Sequence, residues 1–429
     1  MTAAPAARLV AVRDAIHRRF FSPVAHDGRH VGAEVELLAL DGATRRPLQL
    51  LGGRRSLVEM LRLRAASFGW IEVAGYGPVP RFEIPGRAVI SFEPGGQVEI
   101  STVACRSVSA LTSVLREIVP RLREDLATDG VRLESCGIDP VNDARAVPQQ
   151  LPVARYERMT EYFERIGPFG VRMMRQTAAI QVSLDRGAHP TDRWRLLNDL
   201  APYVTAIFAN STHYHGRDTG HQSYRAHCWR MLDATRTGIV APTGDPADGY
   251  ARFALEAGYM MRCGADGGYR AFGAWPVDND TDARWETHLT TLFPEVRPRG
   301  HFEVRSCDAI DPAWYPAPIV FLCGLVYDPR SARESAVLAA DSRALLRTAG
   351  ERGMGDVAIA RTARDLFQLA LAGARRLGDQ CVGLHDIDVA ERYYAEYTAR
   401  DRSPANDGHR VEPSARAGSA RGLASAPPA

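Results

Sequence analysis

Hydrophobic and polar positions along this chain repeat with two different periods, and the switches between them divide it into helices and strands. Over residues 7–20, Leu9, Val12 and Ile16 recur at helical spacing. Residues 30–40, HVGAEVELLAL, alternate instead: Val35, Leu37 and Ala39 share one strand face, and Glu34, Glu36, Leu38 and Leu40 the other. A short helix is predicted over 56–69, and a meander of strands over 70–100, punctuated by Gly75, Gly77, Pro80, Pro85 and Gly86. The next helix, 107–127, carries the stripe Leu111, Leu115, Ile118 and Leu122, with Pro120 a candidate kink and Gly130 its stop. Helices are expected over 155–167 and 193–210. Between them, 177–185 reads as a strand with Ile180, Val182 and Leu184 opposite Gln181 and Ser183. Residues 211–220 read as a loop, and 223–238 as an arginine-rich segment that is irregular at its end. The strand 300–309 sets Phe302 and Val304 against His301, Glu303 and Arg305. Helices over 312–327, 331–349, 357–377 and 386–400 complete the globule. From Ser403 the chain is rich in Pro, Ala, Ser and Arg without periodicity, so 403–429 is expected to be a disordered tail behind a single domain, 1–402. Runs of strands kept apart from runs of helices, with no internal repeat, argue for an α+β fold with an antiparallel-rich sheet.

Composition narrows the chemistry. A chain of 429 residues, 45% apolar and 24% charged, has ample core for one large catalytic domain. Its net charge of +2 makes no electrostatic case for a nucleic-acid or membrane partner. There is no lysine: all 53 basic residues are arginine, which excludes P-loop, Schiff-base and protein-kinase lysine chemistry. Seven cysteines without a CxxC suit a reducing cytoplasm rather than a disulfide framework. The N-terminal twenty residues mix acids and bases too closely for a secretory signal. The longest apolar stretch, Pro316–Tyr327, is too short to span a membrane.

Carboxylates carry the candidate function. Glu34 and Glu36 lie on a strand face that turns apolar within two residues, as a cavity wall does, although a solvated strand edge is the plainer alternative. Residues 91–100, SFEPGGQVEI, place Glu93 and Glu99 on either side of a Pro-Gly-Gly break, and Glu303 adds a third segment. Acids converging in this number repel unless cations lie between them, and oxygen ligands suit magnesium, which keeps substrate phosphates as partners. Arg225, Arg236 and Arg305 supply bidentate donors for phosphate or carboxylate, so the set reads as a metal–polyphosphate site. Two rivals are weaker. His213, His215, His221 and His227 with Cys228 match no zinc spacing and read better as a polar loop with incidental histidines, and no GxSxG or catalytic cysteine context occurs.

Four blocks, VGAEVELLAL, SFEPGGQVEI, MMRQTAAIQVSLD (173–185) and HLTTLFPEVRPRGHFEVRSCDA (288–309), with the lesser FANS (208–211) and RTG (236–238), resemble the plant-type glutamate–cysteine ligases. The likeness is greatest to the actinobacterial members that make γ-glutamylcysteine for ergothioneine synthesis. The resemblance implies a glutamine-synthetase-like curved antiparallel sheet backed by helices, a reaction of ATP, L-glutamate and L-cysteine, and two or three Mg2+ ions. It implies that Glu34, Glu36, Glu93, Glu99 and Glu303 are metal-site acids, with Glu93 and Arg305 catalytic. Arg225 would bind the substrate glutamate, Arg305 the ATP phosphates, and Gln181 and Arg236 the substrates. It leaves oligomeric state open, a monomer included.

The chain departs from the family pattern beside the site. Ile100-Ser101-Thr102-Val103 stands where relatives have Ser-Gly after the last acid of that block, and Ser306-Cys307-Asp308-Ala309 where they have Tyr-Leu-Asp-Ala. These changes leave the ATP and glutamate machinery intact and admit an alternative, a γ-glutamyl ligase whose acceptor is an amine other than cysteine. A non-catalytic binding relative is the remaining reading, opposed by retention of all five acids.

Overall fold

The structure, a computed structural model, describes residues 3–24, 28–241 and 243–408. Its frame is one nine-stranded sheet: β1 (Val31–Asp41), β2 (Ile71–Tyr76), β3 (Val79–Ile84), β4 (Ala88–Phe92), β5 (Val98–Thr102), β6 (Val131–Glu134), β7 (Ala179–Leu184), β8 (Val296–Pro298) and β9 (Phe302–Asp308). The order across it is β8-β9-β7-β1-β5-β4-β3-β2, with β6 paired to the last residues of β1, and every pairing is antiparallel. The two edges are unjoined, so the sheet is open. The expected α+β class, with helices kept apart from an antiparallel sheet, holds.

Period-2 alternation decides which face goes where. Val35, Leu37, Val98, Ile100, Ile180, Val182 and Val304 are all buried in the main core. Helix Pro190–Ile207 packs on β9, and helix Pro316–Tyr327 on β7. The latter is apolar all round, and each of its residues is buried between the sheet and helices Val357–Leu377 and Leu384–Glu396. Glu34, Glu36 and Glu99 alternate with that core and occupy the other face.

Several expected elements differ. The helix foreseen over 331–349 is two, Pro329–Leu338 and Leu346–Arg352, because the chain turns at Asp341, which is left-handed at φ 58°. Helix Val108–Ala127 runs through Pro120 without interruption. Helices Phe169–Gln176, Pro246–Glu256 and Thr281–Leu289 were not anticipated from periodicity. The second of these was legible from its caps: Asp245 accepts from the Ala247 amide, and Pro246 opens the helix. The expected tail boundary at Ser403 also moves. Residues Pro404–Asp407 form a turn tied to the globule by the Ala405 amide on the Ala209 carbonyl (2.9 Å) and by the Tyr397 hydroxyl on Asp407 (2.6 Å). Residues 409–429 of the expected tail lie outside the described residues. No helix among the described residues is long and apolar enough to cross a membrane.

Candidate active site

The turn between β4 and β5 is built to hold Glu93. The Glu93 amide donates to the Gln97 carbonyl (3.0 Å), and the Gly96 amide donates back to the Glu93 carbonyl (2.8 Å). Both glycines are required: Gly96 is at φ 91°, and a Cβ on Gly95 would lie 1.9 Å from the Arg175 carbonyl oxygen. Gln97 pins the turn, accepting from the Gly95 amide and donating to the Thr177 carbonyl, both at 2.9 Å.

From there, pairing assembles the acids. Glu36 is the direct cross-strand partner of Glu99, and Glu34 lies opposite Ser101 on one side and Gln181 on the other. Like charges placed directly opposite one another are unfavourable unless something neutralises them. Part of the answer is donors. Ser91 and Ser101 each give a hydroxyl hydrogen bond to Glu99 Oε1 at 2.9 Å. Glu36 accepts from the Ala179 amide (2.8 Å) and Gln181 Nε2 (3.0 Å). The carboxylates of Glu34 and Glu93 have no hydrogen-bond partner among the described residues. All four acids line one cavity of about 260 Å³.

The electrostatics follow from burial and crowding. Burial, then repulsion from Glu303 and Glu99, pushes Glu34 up to about 8. Burial, then Glu99, pushes Glu36 up to about 7. Burial, then Glu99 and Glu36, puts Glu93 well above the usual carboxylate range. Glu303 behaves oppositely. Burial alone would raise it, but Arg297, Arg305 and Arg299 overcome that and hold it below the ordinary value. Arg297 bonds both its oxygens (2.6 and 2.9 Å), Arg305 bonds Oε1, and Arg299 approaches Oε2 at 3.5 Å. Glu303 is thus fully buried beneath an arginine clamp and is not one of the residues lining the cavity.

The same clamp organises the basic wall. Between Val304 and Cys307 β9 carries a bulge, so Arg305 and Ser306 together stand against the single residue Gln181. Trp229 lies beneath both Arg225 and Arg305, 5.2 and 5.0 Å from ring centre to guanidinium carbon. Arg225 itself is buried one layer behind the cavity, donating to the Arg305 carbonyl (2.8 Å) and standing 3.8 Å from Asp308. Asp308 holds this layer together: its Oδ2 accepts from the Asn210 amide (2.8 Å) and Ser211 Oγ (2.6 Å), and its Oδ1 from Ser223 Oγ (2.9 Å).

Arg236 is not at the cavity. It is fully buried, and each of its three nitrogens is bonded within the protein, to Asp233 (2.8 Å), Thr291 and the Gly258 carbonyl. The substrate role expected for it is replaced by a packing role under Tyr162. The histidine segment, expected as a polar loop, is in part helical: His227 and Cys228 lie on helix Tyr224–Leu232. His227 stacks on Tyr224 and His221 meets that ring edge-on, Cys228 is buried with Ile138 and Tyr214, and burial pushes His227 down to about 4. Arg155, Arg297 and Arg299 line the cavity without having been singled out. The VRPRG string carried a signal for the last two, since its arginines alternate on one face like those of the strand that follows.

The carboxylate oxygens here are the donor type a hard cation takes, and burial, then crowding by neighbouring acids, raises the proton affinity of Glu34, Glu36 and Glu93. Among the described residues no three His, Cys, Asp or Glu side chains are gathered into a ready-made cage. A cation held here would therefore draw further oxygens from substrate and water, as magnesium commonly does.

Comparison with known proteins identifies the family. Residues 30–365 match the family described as Glutamate-cysteine ligase family 2. The chain is similar to glutamate–cysteine ligase EgtA of Mycolicibacterium smegmatis (33% identical over 343 residues, 76% of this chain and 78% of the relative). It is similar also to glutamate–cysteine ligase EgtA of Mycobacterium tuberculosis (35% over 348 residues, 76% and 77%). The chloroplastic glutamate–cysteine ligase of Brassica juncea is 28% identical over 384 residues, 82% of this chain and 73% of that one. Among solved structures, the fold is like that of a glutamate–cysteine ligase from Francisella tularensis in complex with AMP, at a TM-score of 0.54 and 9% identity, covering 89% of this chain and 84% of that chain. A match over most of the chain, with relatives more than 30% identical over three quarters of it, assigns the protein to glutamate–cysteine ligase family 2.

Proposed function

We propose that this protein joins the γ-carboxylate of L-glutamate to the amine of L-cysteine at the expense of ATP, through a γ-glutamyl phosphate. The observation that carries the reading is the cavity in which Glu34, Glu36, Glu93 and Glu99 face Arg155, Arg297, Arg299 and Arg305. The glutamate γ-carboxylate attacks the γ-phosphoryl group and ADP leaves; the amine then attacks the acyl carbon and phosphate leaves. Such transfers need positioning and charge stabilisation more than a covalent protein group, which suits a site without lysine. Glu34, Glu36, Glu93 and Glu99 would hold Mg2+, which when bound neutralises phosphate charge and polarises the transferred group. Arg305 and Arg297 stand where phosphate oxygens would replace Glu303 as their partner, and Arg225, backed by Asp308, steadies Arg305 from behind. Gln181 orients Glu36.

The acceptor is cysteine in this reading. Of the departures that pointed to another amine, Ser101 and Ser306 are turned to other work: Ser101 donates to Glu99, and Ser306 to Glu295 at 2.6 Å. Neither lines the acid cavity, whereas Met159, Met173 and Met174 supply it with a soft, uncharged wall suited to a small thiol side chain. Seven free cysteines accord with a cytoplasmic setting. The test is ADP release by purified protein with Mg2+, glutamate and a panel of amines. Turnover specific to cysteine supports the proposal, and turnover only with a different amine removes it.

A further inference from the structure

A second, larger cavity, of about 540 Å³, lies away from the acids, where helices Pro190–Ile207 and Pro329–Leu338 meet the end of helix Pro316–Tyr327. That volume falls in the range that encloses a small organic molecule. Leu196, Val326 and Tyr327 provide apolar lining, and Arg29, Arg195 and Arg333 ring it with positive charge, joined by Arg193. Two aspartates also line it, but Asp199 is already neutralised by Arg343 at 2.6 Å. Arg29 and Arg333 are exposed and have no hydrogen bond or ion pair among the described residues. An apolar pocket with a surplus of arginine is complementary to a ligand with an apolar body and an anionic head.

This cavity touches the frame of the substrate site. The Tyr327 hydroxyl accepts from the Asp185 amide (2.9 Å) and donates to the His30 carbonyl (2.5 Å), so it ties together the chain beside the ends of β1 and β7. Arg193 bonds the Asp185 carbonyl and lies 5.0 Å over the Tyr327 ring. On their other side, His30 and Asp185 line a cavity of about 280 Å³ that shares Glu34 with the acid cavity. The partition is thin: Gly28 lines the arginine-rimmed cavity, and a Cβ there would fall 1.8 Å from the Asp185 carboxylate.

We propose that the arginine-rimmed cavity is a binding site for a small amphipathic anion, and that its occupancy is transmitted through Tyr327 and Asp185 to the substrate cavity. The binding half stands on the cavity alone; the coupling half rests on the ligase reading, because it is measured through substrate KM. The test uses the full chain and anilinonaphthalene sulfonate, whose apolar rings and single anionic group match the site. Titration by fluorescence should show one saturable site that ATP and glutamate do not compete away. Ala336→Trp, which fills the cavity, should abolish binding, and Arg333→Glu at the exposed rim should weaken it about tenfold, with circular dichroism confirming that both variants fold. Saturating probe should shift the KM for ATP or glutamate about fivefold. Tyr327→Phe, which keeps the ring and removes the hydroxyl, should bind the probe and lose the shift. No saturable site, complete displacement of the probe by ATP rather than the limited change that reciprocal coupling allows, or affinity indifferent to both Ala336→Trp and Arg333→Glu would overturn the binding site. An unmoved KM at saturation, or a shift that persists in Tyr327→Phe, would overturn the coupling.

Discussion

The acid cavity makes stability depend on pH in a direction opposite to that of ordinary paired carboxylates, and Glu36→Gln isolates the effect. Glu36 has its pKa raised from 4.5 to about 7, first by burial and then by Glu99 across the strand pair. The folded protein therefore holds this proton more tightly than the unfolded chain does. The stability it contributes is fully present below 4.5 and is lost as pH rises through about 7. At about 1.4 kcal/mol per pKa unit the whole loss is about 3.5 kcal/mol, of which about 2.5 kcal/mol falls above about pH 5, an upper limit for this one group because Glu36 and its neighbours titrate together. For a chain of this size unfolding entropy is about 0.9 kcal/mol per kelvin, so the latter part is a Tm difference of about 3 °C. Glutamine does not titrate, and the pocket can accept it. Its carbonyl takes the Ala179 amide, while Gln181 turns over so that its Oε1, buried and without a partner, receives the new amide. The assay is thermal unfolding with chelator present, from about pH 5 to about pH 8, for wild type and variant. Glu36→Gln should gain about 3 °C on the wild type across that range, and excess Mg2+ at the upper end should narrow the gap by stabilising the wild type. Parallel curves, with a gap that does not change with pH, would refute the argument that burial and Glu99 raise this group.

Other consequences are as direct. Glu93→Gln should lower turnover at least about 100-fold, since it removes charge where the phosphoryl group is handled. Its Tm in chelator should not fall, and an active enzyme would sink the assignment of the acid site. Asp308→Asn replaces an acceptor of three hydrogen bonds with a group that must turn a donor toward one of them, so it should cost about 2 kcal/mol. By loosening Arg225, which steadies Arg305 from behind, it should raise the KM for ATP more than it lowers kcat, which initial-rate kinetics would resolve. A chain ending at Arg402 should melt about 2–4 °C below one ending at Gly408, because it lacks the turn that bonds Ala209 and Tyr397; equal melting would show that those contacts contribute nothing.

Much of the frame was legible because the physics behind it is local. Period-2 alternation put Glu34 and Glu36 opposite Val35 and Leu37 whatever the strand's partners, and the Pro-Gly-Gly break after Glu93 could hardly be anything but a tight turn. Helix Val357–Leu377 likewise matched its periodicity residue for residue. Where periodicity was weak, reading failed. Thr281–Leu289 buries little beyond His288 and Leu289, so no stripe announced it, and the break at Asp341 was marked only by the pair Asp341-Ser342 within a run of helix formers.

The chain alone therefore put forward five acids, of which four line the cavity, and three arginines, of which Arg305 does. Tertiary structure decided what each one does, because partners are set by cross-strand register and burial between segments far apart in sequence. Register placed Arg297 opposite Glu303 and turned an expected metal-site acid into the centre of an arginine clamp. A bulge set Arg305 and Ser306 against Gln181. Packing drew Arg236 into the core, where Asp233, Thr291 and Gly258 bind every nitrogen it has. None of these follows from residue type or spacing, since a guanidinium reads the same in sequence whether it faces a phosphate or a buried carbonyl.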